Sequence, residues 1–219
     1  MRHPVPAALL ALTLAALARG AAPPAVAHYA LDPAKSSLEF TFLQAGARNK
    51  GSFRRFNVSL DFTPADPGTG RLEVRVEVGS LDTGDQDRDD TLRGADLFDV
   101  AKYPQARFSA THIARTANGY AAGGSLTIRG VTRATTVPFT FREATERGAA
   151  VAYMAGSTVV RRLDFGVGQG DWQATDQAGN EVTVSFALRL ACAQLSDAAG
   201  QCRAGRAHGA RGACGCRRR

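Results

Sequence analysis

The segment 72–79, LEVRVEVG, decides the fold class. Leu72, Val74, Val76 and Val78 alternate strictly with charged residues. Successive side chains of a β-strand point to opposite faces, so this segment has one apolar face and one charged face. The pattern predicts a strand that buries one side in a core and leaves the other in water.

The same period of two recurs along the chain. Further alternating segments lie at 38–42, 58–62, 137–141 and 182–190. Turn-rich stretches such as 64–70 separate them, and no long segment keeps the 3.6-residue period of a helix. We therefore predict an all-β, antiparallel domain. We favour a barrel over a sandwich, because about eight strands are enough to close around side chains or one small ligand.

The first residues have the layout of a secretory signal peptide. Arg2 and His3 precede an apolar stretch at 7–18, and Ala25-Val26-Ala27 offers small residues to a signal peptidase. The apolar stretch is shorter than the roughly 20 residues that a membrane span needs. We expect residues 1–27 to be removed near Ala27 and the mature protein to be periplasmic or secreted.

The last residues, 191–219, do not have the composition of a folded domain. They contain all four cysteines, six arginines and one acid, without apolar periodicity. Such a segment cannot bury enough apolar surface to offset the entropy of ordering it, so we expect a disordered tail. Its cysteines lack paired zinc spacings, and in an oxidising compartment disulfides are expected instead.

The charge of the chain is concentrated at its two ends. The net charge is +7 and the sequence pI is about 9.7. The leader and the tail carry this whole excess, so residues 28–190 are neutral overall. We therefore predict no specific nucleic-acid partner, and we expect residues 28–190 to form one domain that its own core stabilises.

Five sequence blocks resemble one known family in order and in content. They are YALDPAKSSLEFTF at 29–42, GSFRRF at 51–56, RDDTLRGADLFDVAKYPQARF at 88–108, GGSLTIRGVTR at 123–133 and RLDFGVGQGDW at 162–172. Over residues 28–190 the chain resembles the YceI-like family; the leader and the tail lie outside the resemblance. The resemblance implies a lipocalin-like barrel with a long apolar tunnel. It also implies an exported protein that binds isoprenoid quinones, prenyl pyrophosphates or other long-chain lipids.

Phenylalanines occupy the inward face of most predicted strands. Two interpretations stay open: an ordinary packed core, or an apolar cavity for a lipid tail. For the second we expect the tunnel to be lined by Phe40, Phe42, Phe53, Phe62, Val74, Val76, Leu97, Phe98, Phe108, Leu126, Phe139, Phe141, Val184 and Phe186.

The acidic run DTGDQDRDD at 82–90 allows three interpretations. Asp85, Asp87 and Asp89 have the first spacings of a calcium loop, but the positions that should be Gly and Glu are Asp90 and Asp96. Catalytic carboxylates need environments that separate their pKa values, and neighbouring arginines argue against this. We therefore expect the acids to begin a short helix, in which Asp89 or Asp90 caps a turn through Leu92 to Leu97, with no metal site and no catalytic site.

The head group of a bound lipid would need polar contacts at the tunnel mouth. Guanidinium groups suit a pyrophosphate, and six arginines qualify by sequence: Arg54, Arg55, Arg88, Arg93, Arg161 and Arg162. Arg88, Arg93 and Arg161 are our preferred candidates. A quinone would need no cationic clamp.

The resemblance implies, and the apolar inward faces agree with, an exported carrier for a long-chain isoprenoid lipid. The protein would require no cofactor, although an isoprenoid quinone or other polyprenyl lipid could be bound. A membrane donor or acceptor protein is a further expected partner, and the oligomeric state, including a dimer, stays open. The alternative is a periplasmic stress or interaction protein whose barrel is filled by its own side chains.

Overall fold

The computed structural model describes residues 26–196, with side chains described up to residue 193. The strands are β1 (Val26–Leu31), β2 (Ser37–Gln44), β3 (Ala47–Phe53), β4 (Phe56–Phe62), β5 (Arg71–Glu77), β6 (Leu81–Asp82), β7 (Gln105–Thr116), β8 (Gly119–Ile128), β9 (Val131–Glu146), β10 (Ala149–Arg161) and β11 (Glu181–Ser196). The helix α1 spans Gln86–Arg93. Short 3-10 helices lie at Pro33–Lys35, Pro67–Thr69, Val78–Ser80, Arg162–Phe165 and Gly170–Gln173.

Eight of the strands form a closed antiparallel barrel. They follow the order β1, β4, β5, β7, β8, β9, β10, β11, and pairing of β1 with β11 closes the ring. The alternation that opened the sequence analysis is visible in the register: Val74 lies opposite Val58 on β4 and Phe108 on β7. The predicted all-β barrel is therefore confirmed.

The two ends of the barrel are built differently. The last part of β11 pairs with β1, from Leu190 to Ser196, whereas residues 183–187 pair with β2. Strand β2 continues the sheet into β3, and β3 pairs with β6. One end is thus closed directly by β1, and the other has an additional three-stranded extension in its wall.

The acidic run begins the helix, as predicted, but the helix starts earlier than expected, so Asp89 and Asp90 lie within it instead of capping it. Asp85 is the N-cap residue, and its Oδ1 accepts a hydrogen bond of 3.0 Å from the backbone N–H of Arg88. Asp89 is buried and accepts from both the backbone N–H and the hydroxyl of Thr83, at 2.9 and 2.7 Å. Both acids therefore have structural roles: Asp85 caps the first turn of the helix, and Asp89 attaches the helix to Thr83.

The barrel extends beyond the boundaries predicted from sequence. Strand β1 begins at Val26, and β11 continues to Ser196, so the disordered tail predicted from residue 191 begins too early. The physical reason is backbone pairing: β1 pairs with residues 191, 192 and 194–196 and so satisfies part of their N–H and C=O groups despite their tail-like composition. Within this strand Cys192 is disulfide-bonded. The remaining predictions for the leader and the tail concern residues outside the described ones.

The core is densest at the end that β1 closes. Phe62 is fully buried there, and its ring centroid lies 5.0 Å from that of Tyr120 and 4.9 Å from that of Phe141. Tyr29 contacts Phe141 edge to face at 5.4 Å. We call this group, Tyr29, Phe62, Tyr120, Phe139 and Phe141, the packed end. Residues 26–196 contain no helix that is long and apolar enough to cross a membrane.

Candidate functional site

The other half of the barrel is hollow. A cavity of about 510 Å³ lies in the interior of the barrel. Met154 and Leu188 line it and also belong to the buried cluster of the packed end, which therefore forms the floor of the cavity. The barrel is thus partly a filled core and partly an apolar chamber.

Most of the predicted tunnel residues line this cavity. They are Phe40, Phe42, Phe53, Val74, Val76, Leu97, Phe98, Phe108, Leu126, Val184 and Phe186. They come from strands on opposite sides of the barrel and from the segment after α1. The period-two pattern therefore assigned these side chains to the interior correctly.

Three predicted tunnel residues do not line the cavity. Phe62 and Phe139 are buried in the packed end, and Phe141 packs against them. Their inward orientation was predicted correctly, but their role was not. Alternation tells which face of the sheet a residue occupies, whereas its depth along the barrel axis depends on strand register.

Aromatic rings form one side of the chamber wall. The centroid of Phe40 lies 5.0 Å from that of Phe53 and 5.9 Å from that of Phe42, and Phe53 meets Phe98 edge to face at 6.5 Å. Gly51, opposite Phe40 on the next strand, makes room for this ring: a Cβ atom there would lie only 2.5 Å from Cζ of Phe40. The loop residue Phe98 is thus joined to the strands by ring contacts.

The rim of the cavity is polar where α1 borders it. Asp85, Asp87, Arg88 and Thr91 all contribute to the lining. Of the preferred head-group candidates, Arg88 is therefore at the cavity, with its Nη2 3.4 Å from Oδ2 of Asp85. A helix that carries charges on the rim can meet both water and a polar head group.

The other two preferred arginines do not line the cavity. Arg93 donates from Nη2 to the carbonyl of Leu81 at 2.8 Å and from Nε to that of Gly79 at 3.2 Å, which ties α1 to the neighbouring chain. Arg161 is 63% exposed and faces Asp164 at 4.0 Å. Strand alternation explains this: Val160 and Arg162 point inward, so Arg161 points outward.

Arg162, by contrast, is a buried cation in the cavity wall. It is only 6% exposed. Its Nε, Nη1 and Nη2 donate to the carbonyls of Gly179, Val167 and Ala178 at 3.0, 2.9 and 2.6 Å. Burial lowers the pKa of this guanidinium from its ordinary value. It belonged to the wider set of six arginines but was not among the preferred three.

Sequence reasoning missed the part of the wall that is not a strand. Phe165 and Val167 are buried against Leu97 and Val160, and Trp172 packs on this cluster. All of them line the cavity. Their segment has no alternation, because short 3-10 helices carry two of them. The apolar residues within RLDFGVGQGDW were the available signal.

Comparisons with known proteins agree with this architecture. Residues 29–190 match the model of the YceI-like domain. A UPF0312 protein of Yersinia pestis is 35% identical over 132 residues, which are 59% of this chain and 69% of that protein. A UPF0312 protein of Yersinia enterocolitica is 34% identical over the same length.

Two solved structures show the same fold. BcnA of Burkholderia cenocepacia has 34% sequence identity and a TM-score of 0.68, over 73% of this chain and 98% of BcnA. A polyisoprenoid binding domain from Saccharophagus degradans has 16% identity and a TM-score of 0.56, over 75% of this chain and 98% of that domain. The family match at 29–190 includes the cavity wall and the packed end. The chain therefore belongs to the YceI-like family.

Proposed function

We propose that this protein binds the tail of a long-chain isoprenoid lipid in its cavity and acts as a carrier or store. The observation that carries the proposal is the chamber of about 510 Å³ with an aromatic and aliphatic lining. Pockets of roughly 300–1,000 Å³ bury most of a small ligand's surface. The described fold thus offers space for an apolar chain next to a polar rim.

Burial of the tail supplies the affinity. Each 100 Å² of apolar surface removed from water contributes about 2.5 kcal/mol. Part of this gain offsets the lost freedom of the ligand. No covalent step is needed, so the proposed activity is reversible binding.

The family supports an isoprenoid as the ligand. The Saccharophagus degradans neighbour is described as a polyisoprenoid binding domain. An isoprenoid quinone or a prenyl pyrophosphate has a tail that matches the apolar chamber and a polar head that matches its rim. We also propose export, with cleavage near Ala27, and transfer of the lipid to or from a membrane protein. N-terminal sequencing of the mature protein tests the cleavage site.

Trp172 provides a direct test of binding. It is the one tryptophan of the chain, and it lines the cavity. Titration with geranylgeraniol should change the fluorescence of Trp172 in a saturable way. Organic extraction of the natural protein, followed by mass spectrometry, should recover a long-chain lipid in a stoichiometric amount; an empty extract together with no fluorescence change would contradict the proposal.

A pair of variants separates the cavity from the outer surface. Val76→Phe combined with Val184→Phe adds rings to the chamber, since both valines line it. Arg75→Phe combined with Thr183→Phe places the same rings on the outward-facing neighbours. We expect the first variant to weaken geranylgeraniol binding by about tenfold or more. The second variant should bind like the unchanged protein; equal loss in both would refute a site inside the barrel.

A further inference from the structure

The charge of Arg162 lacks a counter-ion within the described part of the chain. No carboxylate of residues 26–193 lies within 4.0 Å of its guanidinium; Asp164, two residues away, pairs with Arg161 instead. Arg189, which is half-buried, contacts Asp32 at 2.6 Å and Glu146 at 2.7 Å. Arg129 is also half-buried without a carboxylate within 4.0 Å among the described residues, but it donates to the carbonyls of Gly166 and Ala95 and does not line the cavity. A buried charge is costly unless it is paired. Among the described arginines, Arg162 combines full burial, a missing carboxylate partner and a place in the cavity wall.

Backbone carbonyls hold this cation in place but do not use all of its donors. A guanidinium has more N–H groups than the carbonyls of Val167, Ala178 and Gly179 engage. The three carbonyls come from two separate segments that flank the end of β10, which fixes the position of the side chain. Gly168 packs directly against Nη1. The group is thus preorganised, with hydrogen-bonding capacity left over.

The surroundings of Arg162 belong to the chamber. Val160, Val167, Trp172 and Ala178 line the same cavity as Arg162 itself. In such an apolar setting, a charge-assisted hydrogen bond is stronger than it would be in water. An anion placed here would receive both the unused N–H donors and the uncompensated positive charge.

Resting on the proposed lipid binding, we propose that Arg162 anchors an anionic head group, a phosphate or a carboxylate, inside the cavity. The head group of the amphiphile supplies the counter-ion that the protein lacks. Arg88 at the rim is a weaker anchor, because Asp85 already faces it. This assigns the ligand to the anionic class of isoprenoid amphiphiles and places its head in the wall instead of at the exposed mouth.

Two ligands with the same tail and different heads test the assignment. Geranylgeranyl monophosphate and geranylgeraniol are titrated into the full chain while Trp172 fluorescence is recorded. The variants are Arg162→Gln and, as a matched control, Arg161→Gln on the outer surface. We expect the unchanged protein and the control to bind the phosphate about tenfold more tightly than the alcohol. Arg162→Gln should lose this preference and bind the two ligands with similar affinity.

The outcomes separate the two proposals. If neither ligand binds the unchanged protein, lipid binding itself fails. If the alcohol binds but the phosphate has no advantage, or Arg162→Gln keeps the advantage, the head-group assignment is wrong. A measurement on the unchanged protein tests the assignment even if Arg162→Gln does not fold. The side-chain ¹⁵N resonances of Arg162 should shift with geranylgeranyl monophosphate and not with geranylgeraniol; no shift, or an equal shift with inorganic phosphate alone, overturns the proposal.

Discussion

The hydroxyl of Tyr29 donates a hydrogen bond of 2.7 Å to Oε1 of Glu143. Tyr29 lies on β1 and Glu143 on β9, strands that are not neighbours in the barrel. The bond therefore links two non-adjacent strands at the packed end, between Tyr29, which is only 2% exposed, and the exposed Glu143. It fastens together two parts of the wall that backbone pairing does not connect.

Replacing Tyr29 by Phe should make the free energy of unfolding less sensitive to pH in the alkaline range. Burial, and then the hydrogen bond to Glu143, raise the pKa of Tyr29 well above its ordinary value of 10. The unfolded chain ionises near that ordinary value, so the stabilisation is complete below it and declines as the pH rises further. We expect the variant to lose about 1 kcal/mol at about pH 8 and the difference to shrink by about pH 11. Urea unfolding at both values measures this, with Tyr103→Phe as the control; an unchanged difference would contradict it.

Phe62→Ala should mainly lower the stability of the protein, whereas Phe42→Ala should mainly weaken ligand binding. Phe62 is fully buried in the packed end, so its truncation should cost about 3–5 kcal/mol of unfolding free energy. Phe42 lines the hollow chamber, so its truncation removes fewer packing contacts and should cost clearly less unfolding free energy. It should instead weaken geranylgeraniol binding. Urea unfolding and Trp172 fluorescence report the two effects separately, and equal stability losses would argue against a division of the barrel into filled and hollow parts.

Asp85→Ala should weaken the start of α1. The carboxylate caps the backbone N–H of Arg88, and loss of such a cap costs about 1 kcal/mol. Asp85→Asn keeps the accepting oxygen and is the matched control, with an expected change of only a few tenths of a kcal/mol. Thermal or urea unfolding checks both. Equal losses in the Asn and Ala variants would mean that the charge, and not the cap, is what matters.

Phe98→Asp should abolish lipid retention. Phe98 lines the cavity and contacts Phe53, so a carboxylate there would place a charge in the apolar wall. Phe98→Leu keeps the apolar character and should retain lipid. The lipid that co-purifies with each variant is quantified by extraction and mass spectrometry. Unchanged retention in the Asp variant would remove Phe98 from the proposed site.

The sequence predicted which side chains face the interior far better than it predicted where each of them lies along the barrel axis. Alternation in segments such as 72–78 placed Val74 and Val76 in the interior, because the two faces of a strand are fixed by backbone geometry. It could not tell that Phe62 and Phe139 belong to the packed end while Phe186 borders the cavity. That distinction depends on pairing between strands far apart in the chain, such as β1 with β11.

The site was least predictable where the wall is irregular. Arg161 and Arg162 look equivalent in the sequence, yet one is largely exposed and the other is buried. The difference follows from where β10 ends and from three carbonyls supplied by loops. Similarly, Trp172 reaches the cavity from a 3-10 helix that no periodicity indicates.

The solid floor beneath the chamber restricts how any cargo can travel. With Met154 and Leu188 resting on tightly nested rings, a hydrocarbon chain cannot slide straight through from one pole of the molecule to the other. Under the proposed function, a lipid would therefore enter and leave on the side of the barrel away from the packed end. A membrane that delivers the lipid and a membrane that receives it would then have to bind the same rim of the barrel, one after the other.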